Sequence, residues 1–107
     1  MISVIGAGPA GCYYASKEKE DVHIFEEHAA VGSPIACTGI LTDSVLKFTD
    51  IPKDLIISKI NQFKLVAPNK KTLYVDLNKT NMVLHRAKFD QFVLQKALDN
   101  GAKLHLG

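Results

Sequence analysis

The sequence has no tryptophan and only two cysteines, Cys12 and Cys37. Neither forms a Cys-x-x-Cys pair or a zinc-ligand spacing, so a zinc module is excluded. Long apolar runs are missing as well. None approaches the roughly 18 residues needed to span a bilayer. Met1 to Ile5 is too short for a signal-peptide core and follows no basic segment. Two thiols without a signal peptide predict a reducing, cytoplasmic setting. Charge of one sign is scarce: 13 basic and 11 acidic residues leave a net charge of +2. Lys70-Lys71 is the only adjacent basic pair, and no aromatics are interleaved with a basic stripe. That excludes a footprint for nucleic acid or for an anionic membrane surface, and no membrane anchor is evident. His23, His28, His85 and His105 do not fall at metal-ligand spacing, so no metal is expected. Repeats and low-complexity segments are absent.

What is present fits one soluble-type domain with a modest core, in 107 residues of which 47% are apolar. Ile2 to Ile5 is a short β-branched run that stops at glycine, which predicts a buried parallel strand. Pro9 to about Lys19 follows as a helix, with Pro9 early enough to be tolerated. Val22 to Glu26 is the second strand, and Glu27 to Gly39 is a loop. Thr42 ahead of Asp43, Val45, Leu46 and Phe48 predicts a short capped helix, with another brief turn over Leu55 to Ile57. Ile60 to Val66 and Thr72 to Leu77 alternate as strands around Pro68-Asn69-Lys70-Lys71, a β-hairpin whose Phe63, Leu65 and Tyr74 are expected in the core. Arg86 to Leu98 has helical apolar spacing and ends at Asn100-Gly101, and Lys103 to Leu106 is a last strand. Phe89 is expected in the core, Cys12 in the core or half-buried, and Asp90 near its helix start.

The expected fold is therefore α/β: the N-terminal part of a Rossmann-like FAD-binding domain, with βαβ, an inserted β-hairpin, then α-β. Right-handed crossovers place the first, second and last strands in one parallel sheet. Three strands are few for such a sheet. Residues 1–107 are thus expected to be a partial dinucleotide-binding domain, the N-terminal piece of a longer flavoprotein or one completed by a partner.

Gly6-Ala7-Gly8-Pro9-Ala10-Gly11 matches G-x-G-x-x-G between a strand and a helix. Gly6 permits the turn out of the strand, Gly8 keeps a side chain from blocking a pyrophosphate, and Gly11 lets the helix pack closely on the sheet. The helix start offers free N–H groups to the phosphates. Glu26 ends the next strand 20 residues after Gly6, the separation expected of a carboxylate that binds a ribose hydroxyl and repels a 2′-phosphate. NADP is disfavoured on that ground.

Three stretches bear a resemblance: Val4 to Gly11; Ile24 to His28 running into Val31-Gly-Ser-Pro-Ile-Ala-Cys-Thr-Gly39; and Leu84-His-Arg-Ala-Lys-Phe-Asp90, followed by Leu94, Ala97 and Gly101-Ala102. Together they resemble the FAD-dependent geranylgeranyl reductases, glutathione-reductase-like flavoproteins that reduce double bonds of isoprenoid chains, including those of archaeal membrane lipids. The segment Gly32 to Cys37 is the narrowest of the signals. The resemblance implies FAD as cofactor, an isoprenoid lipid as substrate and an electron donor that it does not specify. It implies that Ala10 lies beside the phosphates and Glu26 on the ribose. Cys37, Thr38, Gly39 and Ile40 match the loop that passes close to the flavin, and Arg86 matches a cofactor-contacting arginine. Thr38-Gly39-Ile40 departs from the version of that loop with glycines at its first and third positions.

Two residues keep two readings each. Cys37 either stands beside the flavin, where a thiol tunes the ring or touches the alkene, or fills a gap under the loop. Arg86 either meets cofactor oxygens or pairs with Asp90 one helical turn away. Two other functions stay open: a flavoprotein monooxygenase or quinone-linked dehydrogenase, and a cofactor-binding module without turnover.

Overall fold

The computed structural model describes residues 1–107, which form two compact units: Met1–Cys37 with Arg86–Gly107, and Thr38–His85. The first unit contains β1 (Ile2–Ile5), α1 (Pro9–Ala15), β2 (Val22–Glu26), α2 (Arg86–Asp99) and β6 (Lys103–Leu106). The second contains β3 (Ile40–Thr42), 3-10 turns at Asp43–Lys47 and Lys53–Leu55, β4 (Ile56–Val66) and β5 (Thr72–Leu84).

In the first unit, β1, β2 and β6 make a parallel sheet in the order β1-β2-β6, with Ile2 opposite Val22 and Ile24 opposite Leu104. Side chains alternate across a strand. Val22 and Ile24 are buried on one face, where α1 packs on the strands and on α2. Cys12, Ala15, Phe89, Val93 and Ala97 complete that core. Ala15 and Ala97 are small and almost fully buried, which lets two helices approach closely. The opposite face carries His23, Phe25 and His105 and leaves Ile5 largely exposed. There His23 Nδ1 and His105 Nε2 lie 2.8 Å apart, and Phe25 stacks on His105 with ring centroids 4.7 Å apart.

α1 stops at Ala15, earlier than the expected Lys19. The Ser16 hydroxyl turns back to donate to the Tyr13 carbonyl, and the Glu18 carboxylate takes the backbone N–H groups of Lys19 and Glu20. These side-chain bonds offer the backbone an alternative to the helix.

The second unit is an antiparallel sheet in the order β3-β5-β4. The expected hairpin is present but longer at its base, because β4 begins at Ile56 and β5 runs on to Leu84. The polar stretch Asn78 to Asn81 conceals that extension in the sequence. It belongs to the sheet because β3 pairs with it, Ile40 opposite Val83. Register shifts in β4 between Ile56 and Ser58 and between Ile60 and Gln62 break the period-2 pattern. Thr42 precedes a 3-10 turn without capping it through its side chain, and its hydroxyl pairs with Ser44 instead. One expectation is overturned: Phe63, Leu65 and Tyr74 are exposed, not core, because nothing in the unit covers the outer half of the hairpin.

Candidate functional site

The first unit contains a cavity of about 280 Å³ between the glycine-rich turn, the end of β2, the loop from Glu27 to Cys37 and the start of α2. Its lining includes Gly8, Glu26, His28, Cys37, Arg86 and Asp90. That size is at the lower edge of the roughly 300–1,000 Å³ of small-molecule sites. It has room for part of a dinucleotide.

The three motif glycines carry different constraints. Gly6 has φ +90, a conformation that side chains oppose. At Gly11 an added Cβ would lie 2.7 Å from the Gly6 carbonyl oxygen and 2.8 Å from a methyl of Val4, so the start of α1 sits directly on β1. Gly8 has an ordinary φ of −72, lines the cavity, and has nothing within 4 Å of where its Cβ would stand. Nothing inside the chain demands glycine there.

The turn is held from below and from the side. Cys12 is buried with its thiol donating to the Ala7 carbonyl at 3.3 Å. Burial, with the charges of Asp90 and Glu26 adding to it, pushes that thiol up to about 11, so it stays protonated and serves as packing. The Ala7 N–H donates to Glu26 Oε2 at 2.9 Å and ties the turn to the end of β2. Glu26 Oε1 accepts from the His28 N–H at 3.0 Å and lies 2.6 Å from His28 Nδ1. The Ala7 N–H first, then the His28 N–H and imidazole, hold the Glu26 carboxyl at about 2. It is ionised across the neutral range, as a ribose acceptor must be.

The loop after β2 is fixed to α2. Gly32 has φ +85, and a Cβ there would lie 2.8 Å from the Ala87 carbonyl oxygen, so both backbone and space exclude a side chain. Val31 is buried, and its carbonyl accepts from Gln91 Nε2 at 3.3 Å. Arg86 donates from Nε to Asp90 Oδ1 at 2.6 Å while both residues line the cavity. The two readings of Arg86 are thus compatible. The packing alternative for Cys37 is overturned, since the residue is exposed at the cavity wall.

Of the other residues singled out in the sequence, Ala10 is exposed in the first turn of α1, outside the lining. Thr38, Gly39 and Ile40 belong to the second unit, where the Gly39 carbonyl accepts from the Leu84 N–H and Ile40 begins β3. Sequence reasoning missed His28 and Gly32 as parts of this site. Gly32 carried a signal, a glycine three residues into an irregular loop, but its neighbour Ala87 is 55 positions away.

No protein-family model matches the chain. It is 30% identical over 118 residues to an uncharacterized protein from the nifH2 5′ region of Methanosarcina barkeri, a match covering 96% of this chain and 62% of that one. It is 32% identical to the digeranylgeranylglycerophospholipid reductase of Methanococcus vannielii and 34% identical to reductase 2 of Methanopyrus kandleri. Those matches cover 96% and 98% of this chain and 27% of each reductase, so the chain spans about a quarter of their length. Among solved structures, a geranylgeranyl bacteriochlorophyll reductase-like protein from Thermoplasma acidophilum superposes with a TM-score of 0.82 at 24% identity, over 98% of this chain and 29% of that one. The halogenase PltM, solved with phloroglucinol and FAD, superposes at 0.66 with 15% identity, over 98% of this chain and 27% of its own. The shared fold is the Rossmann-like α/β arrangement of β1, α1, β2, α2 and β6 with the antiparallel insertion. Over nearly its whole length, the chain is a relative of the geranylgeranyl reductases.

Proposed function

We propose that the cavity of the first unit holds the ADP half of FAD, and that the chain is the cofactor-cradling part of an oxidoreductase that reduces isoprenoid double bonds of membrane lipids. The observation that carries this is Gly8: a glycine with no internal reason to be one, facing the same cavity as an ionised carboxylate. A pyrophosphate laid against Gly8 supplies the missing reason, and Glu26 accepts from the adenosine ribose. The N–H groups around the turn and Arg86 meet the phosphate charge. Cys37, with Thr38, Gly39 and Ile40 directly after it in the chain, is assigned to the flavin side by the family resemblance.

Bound FAD supplies the redox chemistry, two electrons delivered as hydride to an alkene. This chain's contribution is positional. Glu26 fixes the ribose, Gly8 admits the backbone approach, and the Gly32–Ala87 contact keeps the loop wall in place. The carbon substrate is a bilayer-resident isoprenoid lipid, so the reaction takes place at a membrane surface. The electron donor belongs to the rest of the system.

The cradle reads the ADP half, so it must separate ligands by that half. Titration calorimetry is expected to show binding of FAD and of ADP and none of FMN, which lacks the adenylate. Equal binding of FMN and FAD, or binding of FAD with indifference to ADP as a competitor, would overturn the assignment.

A further inference from the structure

The outer part of the β4–β5 hairpin is built unlike the rest of the protein. Every residue from Asn61 to Tyr74 is exposed. The register places Phe63 opposite Val75 and Leu65 opposite Leu73, so one face of this arm is wholly apolar. Leu65, Val66, Leu73 and Tyr74 are each more than half exposed. A lone two-stranded hairpin is marginal in water, and an uncovered apolar face of this kind calls for an occupant.

Charge indicates which one. Between Leu55 and Val75 lie Lys59, Lys64, Lys70 and Lys71 and no acidic residue. That segment takes four of the 13 basic residues and none of the 11 acidic ones, so it carries +4 against −2 for the remainder. These lysines look scattered along the sequence, which is why they leave no basic footprint there. The hairpin gathers Lys64, Lys70 and Lys71 at its tip, with the Lys64 ammonium 5.8 Å from the centre of the Tyr74 ring. Lys70 closes the turn at φ +66, in the left-handed region where glycine or asparagine would sit at less steric cost.

We propose that this arm docks on an anionic phospholipid surface, its apolar side chains entering the interface and its lysines lying among the headgroups. Long lysine stems place their ammonium groups in the polar layer while their methylenes follow the apolar face. Protein–protein interfaces are depleted in lysine and enriched in arginine, and this arm has four lysines and no arginine. Lys59 and Lys64 on the edge strand β4 also oppose strand pairing with a second copy. The proposal deepens the lipid-substrate reading by naming the surface through which the protein meets a bilayer. Its test does not depend on the cofactor.

Sedimentation with phosphatidylcholine vesicles, with and without phosphatidylglycerol, measures the docking directly. Binding is expected only with the anionic lipid and is expected to weaken with added salt. The triple variant K64Q/K70Q/K71Q should bind on the order of a hundredfold more weakly. A second variant, L65N/L73N, should also lose binding with its charge intact. Both variants should retain the wild-type circular dichroism spectrum and FAD affinity. Equal binding to neutral vesicles, no binding to either, or full binding by the triple variant overturns the proposal. So does self-association in solution that L65N/L73N abolishes, which would make the arm a protein interface. A chain that docks on vesicles but does not bind FAD would keep this inference and overturn the cofactor reading.

Discussion

Glu26 does two things at once, and its protonation links them. Its carboxylate accepts from Ala7, which holds the glycine-rich turn, and from His28, which holds the start of the following loop. The spacing from Gly6 made it legible as a ribose ligand. Its role as a tether was not, because Ala7 and His28 carry no sequence signal for a backbone contact. Its ordinary value is 4.5 and its folded value about 2, so the folded state favours the charged form. The resulting stability is fully present above pH 4.5 and is lost as pH falls from there to about 2. Urea unfolding across that window should therefore show wild type converging on Glu26→Gln as the pH drops, having exceeded it at neutral pH. Parallel curves would mean that the charge contributes nothing to holding the turn.

At the scale of elements, β1, the turn and α1 form one unit in which neighbouring glycines have opposite reasons. Gly11 is a packing glycine, so Gly11→Ala must push α1 off β1 and is expected to cost about 1–3 kcal/mol. Gly8 faces open space, so Gly8→Ala should alter stability by less than about 1 kcal/mol. It should nevertheless weaken FAD binding at least tenfold. Thermal unfolding and calorimetry of the pair check both, and a Gly8→Ala chain with unchanged FAD affinity would remove the ligand from that position. The strands of the parallel sheet and α2 were legible because short β-branched runs and a 3.6-residue apolar spacing are local signals. β3 and the second half of β5 were not. Three residues of β3 and the polar run Asn78 to Asn81 become strand only through pairing with distant segments. The exposed hairpin arm misled for a related reason: alternation shows that a strand has an apolar face, without showing that anything covers it.

At the scale of the molecule, a dinucleotide-type unit is interrupted between β2 and α2 by an antiparallel insertion, and the chain spans about a quarter of the length of the reductases it resembles. The cavity-lining residues come from four separated stretches, Ala7–Pro9, Glu26–His28, Ala30–Cys37 and Arg86 with Asp90, all of them in the first unit. The sequence motifs named most of these residues, but their convergence is a property of the fold. The central claim is that this convergence is a preformed ADP cradle. Isothermal titration of the chain with FAD, repeated on Glu26→Ala, tests it most directly. Micromolar or tighter binding that weakens by roughly 1–3 kcal/mol in the variant is the predicted result, the loss of a charged hydrogen-bond partner. A folded chain that does not bind FAD, or one that binds it equally well without the Glu26 carboxylate, would contradict the account.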